Sequence, residues 1–117
     1  MKYLKTYEVL NQDELQIGDY VICEELYDST DEDSTTVFNI TYSNVGKYIK
    51  HIDNTEYCYL IKYDKSIIPN HLKMFFSHDG STCHRKMSRE EIKYYSKNKK
   101  ELEDMIDVLN QTNKYNL

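Results

Sequence analysis

Val45-Gly46-Lys47-Tyr48-Ile49-Lys50-His51-Ile52, then Asp53-Asn54-Thr55, then Glu56-Tyr57-Cys58-Tyr59-Leu60-Ile61-Lys62-Tyr63 is the stretch that decides the fold. β-branched and aromatic residues fill both runs, and the Asp-Asn-Thr between them is a turn signal, so the stretch reads as a β-hairpin. Tyr57, Tyr59, Ile61 and Tyr63 lie two apart and share one face of their strand.

Working outward, Leu15-Gln16-Ile17-Gly18-Asp19-Tyr20-Val21-Ile22-Cys23 reads as a buried strand opened by a Gly-Asp turn, and Thr35–Tyr42 as a half-buried strand broken by Ser43-Asn44. Pro69 ends a short apolar run, Asn70–Phe76 suits one helical turn, and His78-Asp79-Gly80-Ser81 is a turn. Ser88 with Glu91, and Asn98 with Glu101, are two candidate capping boxes. From the second, Leu102, Met105, Ile106 and Leu109 recur at helical spacing. A final strand is therefore expected near 90–95 and a helix at about 99–110, with one long helix from 89 as the alternative. Residues 1–13 read as an edge strand or an arm.

The expected fold class is mainly β (α+β): a single domain over 1–117, with a small barrel at about 15–96, an acidic loop at 24–34 and a C-terminal helix. The Gly-led openings Ile17-Gly18-Asp19-Tyr20-Val21 and Val45-Gly46-Lys47-Tyr48-Ile49, and the order strand, long loop, strand, hairpin, short turn, strand, resemble the SH3-like barrel. With Lys97-Asn98-Lys99-Lys100-Glu101-Leu102-Glu103 before the last helix, the chain is also similar to small uncharacterised proteins of low-GC bacteriophages. Absence of alanine and tryptophan beside abundant Lys, Asn, Ile and Tyr implies an AT-rich gene, in keeping with that likeness. The resemblance implies no functional residue.

With 117 residues, one hydrophobic core is within reach and two are not. Three cysteines without paired spacing (Cys23, Cys58, Cys83) read as reduced thiols, and no run reads as a signal peptide or membrane span, so the bacterial cytoplasm is the expected compartment. His71, His78, Cys83 and His84 fall close together, but their spacing fits no familiar zinc site, so no metal and no cofactor are expected. Cys83-His84 adjacency on an extended chain does not aim the two side chains at each other, and Gly18, Gly46 and Gly80 are too far apart for a phosphate loop. The expectation is a protein that is not an enzyme.

Charge is the most informative pattern. Residues 1–33 hold ten acids and two lysines, a net of −8, whereas 34–117 hold ten acids and thirteen bases, a net of +3. The total of −5 opposes a general affinity for nucleic-acid backbone. The acid run suits either a solvated connector or an anionic prong. In the second reading Glu24, Glu25, Asp28, Asp31, Glu32 and Asp33, with Tyr27 and Tyr42, dock on a basic host protein and block it, a nucleic-acid-binding defence effector such as a nuclease being the class foreseen, in the manner of anti-CRISPR-like inhibitors. The alternative is a nucleic-acid face of Arg85, Lys86, Arg89, Lys93, Tyr94, Tyr95 and Lys97, with the tyrosines stacking bases. A nucleotide-signal sponge and a virion structural protein are further alternatives.

Overall fold

In the computed structural model, residues 14–26 and 31–115 are described, the last six of them in backbone only. The arm expected at 1–13 lies outside the described residues, as do Tyr27 and Asp28. Five strands, β1 (Tyr20–Cys23), β2 (Gly46–His51), β3 (Tyr59–Lys62), β4 (His84–Met87) and β5 (Ile92–Ser96), form one antiparallel sheet in the order β4-β3-β2-β1-β5. Two α-helices accompany it, α1 (Glu32–Ser43) between β1 and β2, and α2 (Lys99–Tyr115) after β5. The protein is thus a small α+β fold. Among the described residues β4 and β5 are the two edges, so hydrogen bonding between them does not close the sheet into the expected barrel.

The hairpin forms where the sequence places it: Tyr48 pairs with Ile61 and His51 with Tyr59, and Asn54 takes the left-handed conformation (φ 66°) in the turn. The Gly-Asp turn also forms, Gly18 supplying φ 101° before β1, although the strand itself begins only at Tyr20. Asp79 and Gly80, both at positive φ, make the tight turn that lets His78 and Ser81 exchange backbone bonds at 2.9 Å, a pairing that favours glycine and aspartate. Asn70–Phe76 is a 3-10 helix that sends Leu72 and Phe76 into the core.

Thr35–Tyr42 is helix, not strand. Its β-branched residues are overruled by three local and tertiary effects. The Asp31 carboxylate caps the helix by accepting from the Ser34 N–H at 3.1 Å. Glu32 and Asp33 in the first turn complement the helix dipole. Val37 and Thr41, four apart, are buried on one stripe, and the hydroxyls of Thr35 and Thr36 find the carbonyls one turn back. The acidic loop expected at 24–34 is correspondingly shortened, because its last residues open α1.

Near residue 90 the strand reading holds and the long-helix alternative does not: Arg89–Glu91 is a single 3-10 turn, then β5 runs to Ser96. Glu91 still reaches back to the Ser88 N–H at 2.9 Å, the bond its capping-box spacing foretells. At the second box Asn98 accepts from the Lys100 N–H at 3.0 Å, but Glu101 takes the Ser96 hydroxyl (2.8 Å) rather than the Asn98 amide.

Strand alternation divides the core in two. Val21, Cys23, Ile61, Tyr63, Met87 and Tyr95 face Val37, Leu72 and Phe76. Ile22 and Tyr94, pointing the other way, pack against Leu102, Met105 and Ile106 of α2. Gly46 is buried beside Ile61 and Tyr63, leaving no room there for a side chain.

Candidate functional site

A cleft of about 930 Å³ opens beside β4. Leu26, Val37, Phe38, Phe75, Tyr57 and Leu60 supply apolar lining. Ser34 and Thr35 bring the start of α1 to it, and the β2–β3 turn contributes Thr55 and Glu56. His84, Arg85 and Lys86 line it from β4, with Ser88, Glu90 and Glu91 following. Leu26 and Tyr57, both among the lining residues, are exposed large apolar side chains.

Two carboxylates in the cleft are committed to the fold. Glu25, nearly buried, accepts from Arg85 Nη2 at 2.6 Å and Nε at 3.2 Å, and from the Thr41 hydroxyl at 3.0 Å. Arg85 also donates to the Phe75 carbonyl (2.8 Å) and lies over the Phe76 ring. The bidentate pair joins the segment after β1 to β4, sixty residues on, with Thr41 tying in α1. Glu91, also buried, accepts from the backbone N–H groups of Leu26 (3.1 Å) and Ser88 (2.9 Å). The Glu24 N–H donates to the Glu91 carbonyl at 2.8 Å, so Glu91 holds the 24–26 segment by backbone and side chain together.

The remaining acids expected in the prong are distributed differently. Asp31, Glu32 and Asp33 are exposed at the start of α1, beside the cleft-lining Ser34 and Thr35. Asp31 is engaged as the cap. Tyr42 is half-buried on α1, its ring stacked on Phe38 at 6.1 Å, and burial raises its phenol above the ordinary value, with Glu24 adding to the effect. Glu25 does not project at all.

The alternative nucleic-acid face is similarly dispersed. Arg85 is bound to Glu25, and Lys97 to Asp19 at 3.0 Å. Tyr95 is buried in the main core with Arg89 over its ring, and Tyr94 packs toward α2. Lys86 and Arg89 are exposed, whereas Lys93 is half-buried and partnered. Neither tyrosine offers a free ring to a base. Through Glu25–Arg85 and Asp19–Lys97, part of the opposite charge of the two halves is neutralised within the fold rather than set at opposite poles.

The histidines do not assemble a centre. His78 and His84 rings stand 6.3 Å apart, and His71 is exposed on the 3-10 helix. His78 Nε2 lies 3.3 Å from the Asp79 carboxylate without hydrogen-bond geometry. Cys83 Sγ, buried, is within hydrogen-bond reach of His84 Nδ1 at 3.8 Å, so the two neighbouring side chains do meet, contrary to the expectation for an extended chain. Burial, then the nearby His78, Lys62 and Lys65, hold the His84 imidazole below its ordinary pKa. Burial pushes the Cys23 thiol up to about 12, and the neighbouring Tyr63 phenol rises for the same reason. Among the described residues no group of three or more His, Cys, Asp or Glu is placed to hold a metal ion, and no helix is long and apolar enough to cross a membrane.

Sequence reasoning missed Leu26, Phe75, Arg85 as a partner of Glu25, and Glu91. Leu26 carried a local signal, as an aliphatic residue stranded among acids, and Glu91 another in its capping-box spacing from Ser88, which foretells one of its bonds but not its hold on the 24–26 segment. The Glu25–Arg85 match depends on a sheet register that no local pattern contains.

Compared with known proteins, the chain matches no family model, no curated protein and no solved structure.

Proposed function

We propose that this chain is a non-enzymatic protein-interaction module, encoded by a phage, that docks on a basic host protein and blocks it, with a nucleic-acid-binding defence effector as the partner class. The observation that carries the reading is the cleft itself. Leu26 and Tyr57, both exposed, line it together, while Glu25 and Glu91 are engaged by hydrogen bonds within the fold. Exposed apolar side chains in a depression favour surface burial, and the two carboxylates held deepest in the cleft are committed to the fold rather than to a ligand. Exposed Glu32 and Asp33 next to it supply attraction for a basic partner. The order β4-β3-β2-β1-β5, in which the last strand returns beside the first after a single 3-10 turn, supports reading the sheet as an SH3-like barrel left open between β4 and β5.

The test is a pull-down from a low-GC bacterial lysate with the wild-type chain and Leu26→Asp side by side. Capture of a basic protein that is lost in the variant supports the reading; equal capture by both, or none by the wild type, overturns it. Neutralising Glu32→Gln with Asp33→Asn should slow association and flatten its dependence on salt, whereas Asp31 is left intact because it caps α1.

A further inference from the structure

Successive residues of a strand point to opposite faces of a sheet, yet His84, Arg85 and Lys86 all line the one cleft. A depression lined by three consecutive strand residues runs along the edge of that strand, and among the described residues β4 is an edge, paired with β3 on one side. The register tells which backbone groups face outward. Tyr63 N–H donates to the Cys83 carbonyl at 2.8 Å, and Ile61 pairs with Arg85, so 83, 85 and 87 turn their peptide groups toward β3. By alternation the N–H and C=O groups of His84 and Lys86 point into the cleft, where no described residue bonds them.

We propose that the cleft receives an extended, lysine- or arginine-bearing segment of the partner, which adds to the sheet as a sixth strand on β4. The inference rests on the interaction-module reading and gives it a binding mode. Backbone bonds to His84 and Lys86 align the segment. Its alternate apolar side chains fill the lining around Leu26 and Phe38, and its cations meet the exposed Glu56 and Glu90. Charge selects this occupant. Glu25, Glu56, Glu90 and Glu91 against Arg85 and Lys86 leave the lining at −2 with the imidazoles neutral. A second copy of β4 is disfavoured, because His84-Arg85-Lys86 laid against itself sets like charges across from one another. Lys86 and the four-residue length of β4 also guard the edge against indiscriminate pairing.

The experiment uses the full chain and three blocked synthetic probes: an alternating Lys–Val peptide, the same peptide N-methylated on alternate amides, and an alternating Glu–Val peptide. Binding is read by fluorescence anisotropy, and amide exchange at His84 and Lys86 by NMR. The Lys–Val peptide should bind and protect both amides, and N-methylation of the edge-facing amides should weaken it about tenfold, the worth of two backbone bonds. Glu90→Lys should weaken the Lys–Val peptide while leaving the fold intact. No binding of that peptide, equal binding of its N-methylated form, equal binding of the Glu–Val peptide, or self-association through β4 each overturns the proposal. Loss of lysate capture in Leu26→Asp, combined with indifference to N-methylation, would leave the interaction module standing and remove strand addition alone.

Discussion

The two ends of the sheet are built from the same alternating strands but finished differently. At the β1/β5 end, α2 lies on the face that carries Ile22 and Tyr94, and Leu102, Met105 and Ile106 seal it. At the β3/β4 end the residue on the corresponding face, Leu60, lines a cleft instead, and on the opposite face the Glu25–Arg85 ion pair adds to the packing of Ile61 and Met87 in the main core. One end is closed by apolar area on both faces, the other on one face only, with directed bonds added there. A closed end contributes stability through burial alone, whereas an end secured by Glu25–Arg85 keeps an edge strand accessible at the cost of two desolvated charges.

Arg85→Ala should produce the largest effect, about 3 kcal/mol lost in urea unfolding, because it strands the buried Glu25 carboxylate without its partner. Pairing Arg85→Met with Glu25→Gln should recover much of that loss, which no simple truncation at the α2 end can do. Leu102→Ala comes close behind, also about 3 kcal/mol by the same measurement, through the cavity it leaves under α2. Equal rescue at both ends, or none at either, would break the contrast. Asp31→Ala should cost about 1 kcal/mol through the lost cap and loosen the cleft wall formed by α1.

The smallest effects are chemical. His84 is held below its ordinary pKa, so the fold favours its neutral form. That stability is fully present above the unfolded value of 6.5 and is lost as pH falls through the depressed folded value. Unfolding midpoints should therefore decline below about pH 6.5, and His84→Gln should flatten part of the decline. The thiols offer a readout of burial: at pH 8 a disulfide reagent should modify half-buried Cys58 readily, and leave Cys23, held up to about 12, untouched until the chain unfolds.

Legibility in the sequence follows the same division between local and distant causes. The hairpin, the His78–Ser81 turn and α2 were readable because each is fixed by residues within a few positions: Asn54 in its turn, Gly80 at positive φ, Leu102, Met105 and Ile106 on one stripe. Helix α1 was not, because Thr35-Thr36-Val37-Phe38 has strand-like composition, and the burial of Val37 and Thr41 that decides the matter comes from the sheet. Of the site, the acids beside α1 were visible as a charge run. The engagement of Glu25 was not, since its partner sits sixty residues away. Tyr57 reads as part of a strand face, but it lies exposed before β3, and its sharing of the cleft with Leu26 depends on tertiary structure, including the bonds by which Glu91 holds the 24–26 segment.

Gly46 carries a consequence for how this sequence can drift. A methyl group there would run into Ile61 and Tyr63, so the restriction is one of space rather than of backbone angle. Gly80, at φ 82° with open solvent around it, has the opposite character and should accept asparagine. In a saturation-mutagenesis selection for folded chains, position 46 should therefore empty of every substitution, returning only alongside a compensating smaller residue at 61 or 63.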